Sequence, residues 1–232
     1  MTDIHSHILP GMDDGSRSTE ESLAMLAASA AQGVRAIAAT PHFYAMENSP
    51  EEFLARREAA ESRLLSRWES GLPRIRVGAE VGYFEGMSRS KALEALRIQD
   101  TELLLLEMPF TRWSERQLSE VRDVAGRPGV TVVLAHIERY WKLERPGVWD
   151  ALLEAGVRFQ CNAECFLHWR TRGRALRLLR QGRIHLLGSD CHNMEWRPPR
   201  LGEAAARLEE ADLARLAESE RALLPGWEEM RG

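Results

Sequence analysis

Seven short apolar segments, separated by longer amphipathic ones, constrain the fold of this sequence more than any other feature. Their apolar character is continuous rather than alternating, which is typical of parallel strands covered on both faces. We therefore expect seven β-strands, each followed by a helix. The predicted strands cover residues 1–5, 35–40, 75–80, 102–107, 130–135, 157–161 and 184–188.

The segments between these strands carry the periodicity of amphipathic helices. Ser18 is expected to cap the first helix in a capping box with Glu21, and the second helix opens with Pro50. Seven strand–helix units predict an α/β barrel or an open doubly wound sheet. No repeat or linker divides the chain, so residues 1–232 are expected to form a single domain. The predicted helices cover residues 18–32, 50–69, 88–97, 114–125, 146–155, 171–181 and 201–219.

The composition excludes several classes of partner and location. A formal net charge of −4 gives no general attraction to nucleic acid or to an anionic membrane surface. No apolar run approaches the ~20 residues that span a bilayer, and the first residues lack the pattern of a signal peptide. Three cysteines scattered late in the chain suit a reducing compartment. We therefore expect a cytoplasmic protein that is not embedded in a membrane.

Side chains that can bind metal ions end or directly follow six of the seven predicted strands. In an α/β barrel, the loops after the C-terminal ends of the strands build the active site. Imidazole and carboxylate groups are common ligands of divalent transition ions. Most of the histidines fall in this set, and only His168 and His185 lie elsewhere. The candidate ligands are His5, His7, His42, Glu80, Glu107, His136, Asp190 and His192.

Each candidate, taken alone, also has an ordinary structural explanation. His5 and His7 alternate on a strand, which turns both rings to one face with or without an ion. Glu80 and Glu107 close apolar strands, where a carboxylate either faces solvent or meets a partner. His136 is also compatible with a hydrogen-bonded position in the core. These explanations are independent of one another, whereas a metal site predicts all of the residues together.

The number of candidates predicts more than one ion. Asp14, on a loop made pliable by Gly11 and Gly15, raises the set to nine. Zinc-type sites use about three or four protein ligands each, so the set suits two or three ions that share carboxylates. Closely spaced ions clamp a phosphoryl group during in-line attack, which predicts a phosphoesterase. Arg139 and Arg197 are expected either to hold phosphate oxygens or to pair with nearby glutamates.

These motifs resemble those of the PHP (polymerase and histidinol phosphatase) superfamily. Within it, the chain is similar over essentially its whole length to the bacterial tyrosine phosphatases encoded with capsule and exopolysaccharide synthesis. The resemblance implies a distorted seven-stranded (β/α)7 barrel with three metal ions, manganese being expected and iron, cobalt or zinc being alternatives. The matching motifs are DIHSHILPGMDDG at residues 3–15, ATPH at 39–42, GAE at 78–80, LEMP at 106–109, AHIERY at 135–140 and GSDCH at 188–192.

The same resemblance implies a role for each candidate residue. A metal-bridging hydroxide would attack the phosphorus of a phosphotyrosine while Arg139 and Arg197 bind the phosphate. The implied substrate is phosphotyrosine on the tail of a partner tyrosine kinase that regulates polysaccharide synthesis. The ions would be held by three sets of ligands: His5, His7, Glu80 and Asp190; Glu80, Glu107 and His136; and Asp14, His42 and His192.

Two other functions fit the same motifs. A phosphatase acting on a small metabolite, such as a histidinol-phosphate-like monoester, would use the same metals. A non-catalytic metal-binding module would instead regulate a kinase or scaffold. Residues 43–50 after His42, which include Tyr44, stand where close relatives usually carry a second histidine and a glycine-containing loop. This segment borders the expected mouth of the site. Trp113 is expected either to stack on a phosphotyrosine ring or to pack in the core.

The remaining reactive side chains are expected to have no part in catalysis. Cys161 and Cys165 lie four residues apart without a second pair, so a thiolate metal site is not predicted. Two prolines rather than a helix follow the arginine nearest to Cys191, which argues against a cysteine nucleophile. His185 lies within the last predicted strand and is expected to be structural.

Overall fold

In the computed structural model, which describes residues 1–227, the chain forms nine β-strands. All seven predicted strand positions contain a strand, and two of them are followed by an additional short strand. The strands are β1 Thr2–Ser6, β2 Ala36–Ala39, β3 His42–Phe43, β4 Arg74–Val77, β5 Glu80–Gly82, β6 Leu103–Glu107, β7 Thr131–Leu134, β8 Arg158–Asn162 and β9 Leu186–Gly188.

The strands pair in parallel throughout the described chain, in two sheets. One sheet has three strands in the order β1-β2-β4, and the other has six in the order β3-β5-β6-β7-β8-β9. An isolated parallel bridge between Ser6 and Cys191 joins the end of β1 to the segment after β9. The predicted α/β class with parallel strands is confirmed. The predicted seven-stranded barrel is not found as one continuous sheet among residues 1–227.

Two of the predicted strands break near their ends, and a short additional strand follows each break. β2 stops before Thr40-Pro41, and proline has no N–H to donate to a ladder. β4 stops before Gly78, whose N–H donates to the Ala39 carbonyl 2.8 Å away. Glu80 was expected to end a strand, but it opens β5 instead, and its N–H donates to the Pro41 carbonyl at 3.1 Å.

Residues 1–227 also form eight α-helices and three 3-10 helices, and the last two α-helices follow the final strand. None of these helices is both long and apolar enough to cross a bilayer. The 3-10 helices are Met87–Arg89, Ile137–Tyr140 and Ala163–Phe166. The α-helices are α1 Thr19–Ala31, α2 Pro50–Leu65, α3 Leu93–Leu96, α4 Glu115–Ala125, α5 Pro146–Glu154, α6 Trp169–Arg180, α7 Leu201–Ala205 and α8 Glu210–Leu223.

Three predictions about the helices need correction. Ser18 caps α1 by accepting from the Glu21 N–H, but the Glu21 carboxylate accepts from the Arg17 N–H, so the predicted capping box is only half formed. The helix expected over 88–97 is a 3-10 turn followed by the short α3. The helix expected over 201–219 is divided into α7 and α8, because Glu209 and Asp212 form a capping box at which a second helix begins.

Alternate residues of the strands divide the core into two apolar layers. Leu104 and Leu106 of β6 belong to the larger layer, which lies between the strands and the helices, whereas Leu103 and Leu105 belong to a smaller layer on the opposite face. Trp227 closes the smaller layer after α8. Burial at about 25 cal/mol per Å2 of apolar surface makes these layers the main source of stability. They hold the C-terminal strand ends in fixed relative positions.

Candidate metal centre

Seven of the nine predicted ligands lie at the C-terminal ends of strands or in the loops that follow them, whereas His42 and Glu80 open the short strands β3 and β5. His5 belongs to β1, His42 to β3, Glu80 to β5 and Glu107 to β6, and the others follow β1, β7 and β9. Eight of the nine side chains are buried or partly buried, whereas Asp14 is 69% exposed. The sheet therefore gathers residues from positions 5 to 192 of the chain into one cluster.

Glu80 stands at the middle of this cluster and is 1% exposed. Its Oε2 atom lies 3.2 Å from His5 Nε2, 3.4 Å from His7 Nε2 and 3.0 Å from His42 Nδ1. Its Oε1 atom lies 2.8 Å from His136 Nε2. One carboxylate thus contacts four imidazoles, which is the geometry expected of a bridging ligand.

Asp190 forms a second point of convergence. Its Oδ1 atom lies 3.5 Å from the Nε2 atoms of both His5 and His7. Its Oδ2 atom accepts from Asn162 Nδ2 at 2.7 Å and from Arg139 Nη2 at 2.8 Å. The two oxygens of Asp190 therefore connect the imidazole cluster to the arginine side of the site.

A third group lies nearer to solvent. Asp14 Oδ1 is 3.4 Å from His192 Nε2 and 3.6 Å from His42 Nε2, and His7 completes a set with donor atoms all within 4.8 Å of one another. The resemblance placed His42 only in this third set. In the structure, His42 Nδ1 also contacts Glu80, so His42 lies between two of the implied sets.

The donor atoms fit a metal centre by type and by spacing. Two donors at 2.0–2.2 Å from one ion are separated by roughly 3.0–3.5 Å. Most of the imidazole–carboxylate distances above fall in this range, and the remaining two, 2.8 and 3.6 Å, lie just outside it. Three groups of these residues have donor atoms within 4.8 Å of one another: His5, His7 and Asp190; His42, Glu80 and Glu107; and His7, Asp14, His42 and His192. Imidazole and carboxylate donors support divalent metal ions.

The charges of the cluster point the same way. Burial alone would raise the pKa of Glu80 and of Asp190, but the surrounding imidazoles outweigh it and hold both pKa values well below the ordinary range. Burial alone would lower the pKa of His136, yet Glu107 and Glu80 raise it to about 9. The carboxylates are therefore ionised at neutral pH. His7 and His136, whose pKa values are raised by neighbouring carboxylates, balance part of this negative charge when no ion is bound.

Backbone strain accompanies two of the ligands. His136 has φ of 31° and Asp190 has φ of 52°, in the left-handed region that non-glycine residues rarely adopt. Such conformations persist where surrounding structure enforces them, typically at functional sites. Asp100 is the remaining non-glycine residue with positive φ in the described part of the chain, and it lies outside the cluster.

Polar side chains behind the ligands were not predicted from the sequence. The Oε1 atom of Gln160 lies 3.2 Å from His5 Nδ1 and accepts from the His136 N–H at 2.6 Å. Asn162 receives a hydrogen bond from Gln160 and donates to Asp190. Both lie on β8, which corresponds to the one predicted strand that no candidate ligand ends or follows, and two buried amides there were the signal available. Such partners fix ring orientation and ligand basicity.

Asp13 supports the ligands from the opposite side of the cluster. Its Oδ2 atom lies 2.7 Å from His7 Nδ1 and accepts from the His42 N–H at 2.9 Å. Burial would raise the pKa of Asp13, but His7 holds it below the ordinary range. Asp13 therefore orients two of the ligands, whereas the neighbouring Asp14 lies on the solvent side of the cluster.

Tyr44 is part of the site, although the sequence marked it only as a departure from close relatives. Its hydroxyl lies 3.1 Å from His42 Nδ1 and donates to Glu107 Oε2 at 3.2 Å. Its ring stacks on His42 with centroids 5.1 Å apart. A Cβ atom on Gly82 would lie 2.5 Å from Tyr44 Cδ1, so this glycine makes room for the ring.

The two predicted arginines lie beside the cluster rather than within it. Arg139 belongs to the 3-10 helix after β7, and Arg197 follows β9. Both guanidinium groups contact Asp190 Oδ2, and each side chain is 36% exposed. Arg197 Nη1 also lies 2.9 Å from His192 Nε2. They pair with an aspartate of the cluster rather than with surface glutamates.

The structure separates the aromatic and cysteine candidates. Trp113 is 5% exposed and packs against Tyr140 in the core, whereas Phe110 is 53% exposed and lies 6.0 Å from the His136 ring. Burial raises the pKa of the Cys191 thiol, which argues against a nucleophilic thiolate. The cysteines are buried and unpaired: Cys161, Cys165 and Cys191.

Comparison with known proteins assigns the family. The sequence model of the family "Capsular polysaccharide synthesis, CpsB/CapC" matches residues 1–218. The chain is 33% identical over 218 residues to the tyrosine-protein phosphatase CpsB of Streptococcus agalactiae, covering 88% of each protein. It is 31% identical over 220 residues to the tyrosine-protein phosphatase YwqE of Bacillus subtilis, covering 90% of this chain and 84% of YwqE.

A solved structure supports the same assignment. It comes from work on YwqE of Bacillus subtilis and CpsB of Streptococcus pneumoniae, described as unique metal-dependent tyrosine phosphatases. The TM-score is 0.80 at 27% sequence identity, over 95% of this chain and 93% of the other. This chain therefore belongs to the CpsB/CapC family of capsular polysaccharide synthesis proteins.

Proposed function

We propose that this chain is a metal-dependent protein-tyrosine phosphatase, a hydrolase that removes phosphate from phosphotyrosine. One observation carries the proposal: nine imidazole and carboxylate side chains converge with two guanidinium groups at one end of the strands. Relatives named tyrosine-protein phosphatase share about a third of the sequence and support it.

Three divalent ions are proposed, with manganese expected and iron, cobalt or zinc as alternatives. Ions held there would supply positive charge to the phosphoryl group and an activated water as the attacking group. Glu80 is the proposed bridging ligand, because both of its oxygens contact imidazoles. The proposed ligands are His5, His7, Asp14, His42, Glu80, Glu107, His136, Asp190 and His192.

The proposed task of Arg139 and Arg197 is to bind and orient the phosphate. Their partly exposed guanidinium groups lie between solvent and the buried ligands, where an entering phosphate would meet them. Charge-assisted hydrogen bonds from two planar guanidinium groups fix the phosphoryl oxygens. Orientation of this kind places the ester bond in line for attack.

Phe110 favours a phenyl ester over an alkyl ester. Its ring lies parallel to Tyr140 at 5.6 Å, within 15°, and beside the proposed ligand His136. More than half of its surface is free, so it offers an aromatic wall at the mouth of the site. Aromatic contact of this kind adds about 0.5–1.5 kcal/mol beyond area burial. Phe110 takes the position that the sequence had suggested for Trp113.

The proposal also covers the protein that carries the phosphotyrosine and the compartment in which it is hydrolysed. The phosphotyrosine is proposed to lie on the tail of a polysaccharide-biosynthesis tyrosine kinase, which the protein meets in the cytoplasm.

The two sheets are proposed to form together one distorted seven-stranded barrel. The Ser6–Cys191 bridge supports this closure, and β3 and β5 continue the lines of β2 and β4.

A phosphatase assay with metal add-back tests the proposal. We expect chelated protein to lose turnover of a phosphotyrosine peptide and to regain it with manganese. A small phosphomonoester such as histidinol phosphate should be hydrolysed poorly under the same conditions. Efficient turnover of the metabolite with negligible peptide turnover would contradict the assignment and favour a metabolite phosphatase. Bound metal without any turnover would favour a non-catalytic module.

Variants separate metal binding from phosphate binding. Arg139→Ala and Arg197→Ala should each lower turnover about 100-fold or more while metal content persists, since removing one charge-stabilising donor has an effect of this order. His136→Ala and Glu107→Ala should lose metal as well as activity. Elemental analysis beside steady-state kinetics makes the comparison. Loss of metal from both arginine variants would make the arginines structural instead.

A further inference from the structure

A groove extends from the metal centre along the surface beyond the two arginines. It opens into a cavity of about 500 Å3, with Asp190, Arg139 and Arg197 at its inner end. The outer walls are formed by residues of α6 and of the loop after β9. We name this outer part the Trp–Arg groove and define it by Trp169, Arg170, Trp196 and Arg200.

Two indole rings of this groove are almost fully open to solvent. Trp169 is 81% exposed and Trp196 is 85% exposed. Trp196 lies on a turn fixed by Asn193, whose Oδ1 atom accepts from the N–H groups of residues 195, 196 and 197. Exposed aromatic side chains that line one cavity mark a binding surface, and tryptophan is enriched among residues that carry binding energy.

The charge of the groove identifies the kind of group that it would bind. The Arg170 guanidinium lies 4.9 Å above the Trp169 ring. No carboxylate of residues 1–227 forms an ion pair with Arg170, whereas Arg200 pairs with Glu203 at 2.8 Å. Stacking on the indole holds the guanidinium in place while leaving its N–H groups free. Glu164 also lines the cavity, but its carboxylate contacts His168 at 3.2 Å and Arg200 at 3.8 Å. Arg170 is therefore the groove cation that no carboxylate of residues 1–227 neutralises, and it lies beside two aromatic surfaces.

We propose that the Trp–Arg groove is a subsite for the substrate segment that flanks the phosphotyrosine, with an acidic side chain of that segment paired to Arg170. The inference rests on the proposed phosphatase function, because the groove begins at the arginines assigned to the phosphate. The two indoles, which line the same cavity as Arg170, pack against the peptide beside this ion pair. A substrate reduced to one phosphorylated metabolite would leave the groove empty.

Matched peptides test the subsite. Two phosphotyrosine peptides differ only in having glutamate or glutamine at the flanking positions, and kcat/KM is measured for both on each variant. For the unaltered chain we expect a preference of about 5- to 10-fold for the acidic peptide, mainly in KM, as for a partly desolvated ion pair. Arg170→Ala should reduce the ratio to about one. The neutral peptide on the same variant corrects for any general loss of activity.

A charge-reversal variant and control variants far from the groove test the same assignment. Arg170→Glu should prefer a peptide with lysine at the flanking positions. Arg35→Ala, at the start of β2 and therefore at the opposite end of the strands, should keep the acidic preference. Trp169→Ala and Trp196→Ala should raise KM for both peptides about threefold or more, whereas Trp68→Ala, in the turn that leads to β4, should not.

The outcomes distinguish the subsite from the phosphatase assignment. Equal kcat/KM for the two peptides on the unaltered chain would overturn the subsite while leaving the phosphatase assignment intact. So would a preference that survives Arg170→Ala unchanged. Failure of the unaltered, metal-loaded chain to hydrolyse either peptide would instead overturn the proposed function on which the subsite rests.

Discussion

At the scale of single residues, the centre depends most on Glu80. Its two carboxylate oxygens contact four imidazoles, and its pKa is held well below the ordinary range despite burial. Histidines alone would leave the cluster with too much positive charge once ions were bound. The buried negative charge of Glu80 is therefore as important as its position.

Removing that charge while keeping the shape of the side chain gives a direct prediction. Glu80→Gln should lower metal affinity by about 10- to 100-fold or more, since loss of an outer partner alone costs that much, and turnover should fall with it. Elemental analysis and kinetics at fixed manganese measure both. Glu102→Gln, at the opposite end of β6, is the matched control and should change neither. Full metal content in Glu80→Gln would remove Glu80 from the proposed ligands.

His185 gives a prediction about stability and pH. Burial and the nearby Arg158 lower the pKa of His185 to about 4, and its Nδ1 atom accepts from the Phe159 N–H at 3.1 Å. As the pH falls below ~6.5, the unfolded chain binds a proton that the folded chain does not. The contribution of His185 is therefore complete above pH ~6.5 and is lost as the pH falls toward 4.

His185→Asn should make the free energy of unfolding less dependent on pH in this range, because asparagine does not titrate there. The asparagine Oδ1 can still accept from the Phe159 N–H, so the hydrogen bond is kept. Between pH 6.5 and 4 the free energy of unfolding of the unaltered chain should fall by about 1–3 kcal/mol more than that of the variant, given ~1.4 kcal/mol per pKa unit. Chemical denaturation in the presence of chelator measures the difference without a contribution from metal. Parallel profiles for the two proteins would show that His185 does not titrate as described.

At the scale of elements, the close approach of neighbouring strand ends determines the positions of the ligands. A Cβ atom on Gly188, the last residue of β9, would lie 2.5 Å from His5 Cβ and 3.0 Å from Gln160 Nε2. Real side chains do not tolerate the shorter distance, so β1 and β9 approach closely only because this residue is glycine. The position of His5 depends on that approach.

Gly188→Ala should therefore weaken both the fold and the metal centre. Overpacking of this kind costs about 1–3 kcal/mol of unfolding free energy, and a shift of His5 should lower metal affinity. Gly173→Ala is the contrasting variant, since nothing lies within 4 Å of the added Cβ atom in α6, and it should stabilise the chain by about 0.5–1 kcal/mol. Denaturant titrations with and without metal measure both, and an unchanged Gly188→Ala protein would contradict the packing argument.

The sequence predicted these elements where the information is local and failed where it is not. Continuous apolar runs located all seven strand positions, because burial on both faces acts on the sequence itself. The breaks before His42 and Glu80 depend on hydrogen bonds between distant segments, which no local pattern reports. Ligands were predicted because imidazoles and carboxylates ended the strands. Gln160 and Tyr44 were missed because each contacts a residue that is distant in the sequence, His5 and Glu107 respectively.

At the scale of the whole molecule, the metal centre forms only when the fold is complete. The donor atoms come from strand ends between His5 and His192, so nearly the full length of the chain must fold before they meet. Several buried carboxylates and imidazoles then lie within 4 Å of one another. Without ions, protons and the nearby arginines must balance these charges, which is a less stable arrangement than ligation.

Metal ions should therefore stabilise the entire fold and not only the site. At a concentration 100 times the dissociation constant, one ion that binds only the folded chain adds about 2.7 kcal/mol. For a chain of this size each kcal/mol raises Tm by about 2–4 °C, so chelation should lower Tm by roughly 5–10 °C and manganese should restore it. Scanning calorimetry of chelated and reloaded protein measures the shift. Glu80→Gln should show a much smaller shift, because its centre binds metal weakly. An equal shift in that variant would mean that the stabilising ions bind elsewhere in the protein.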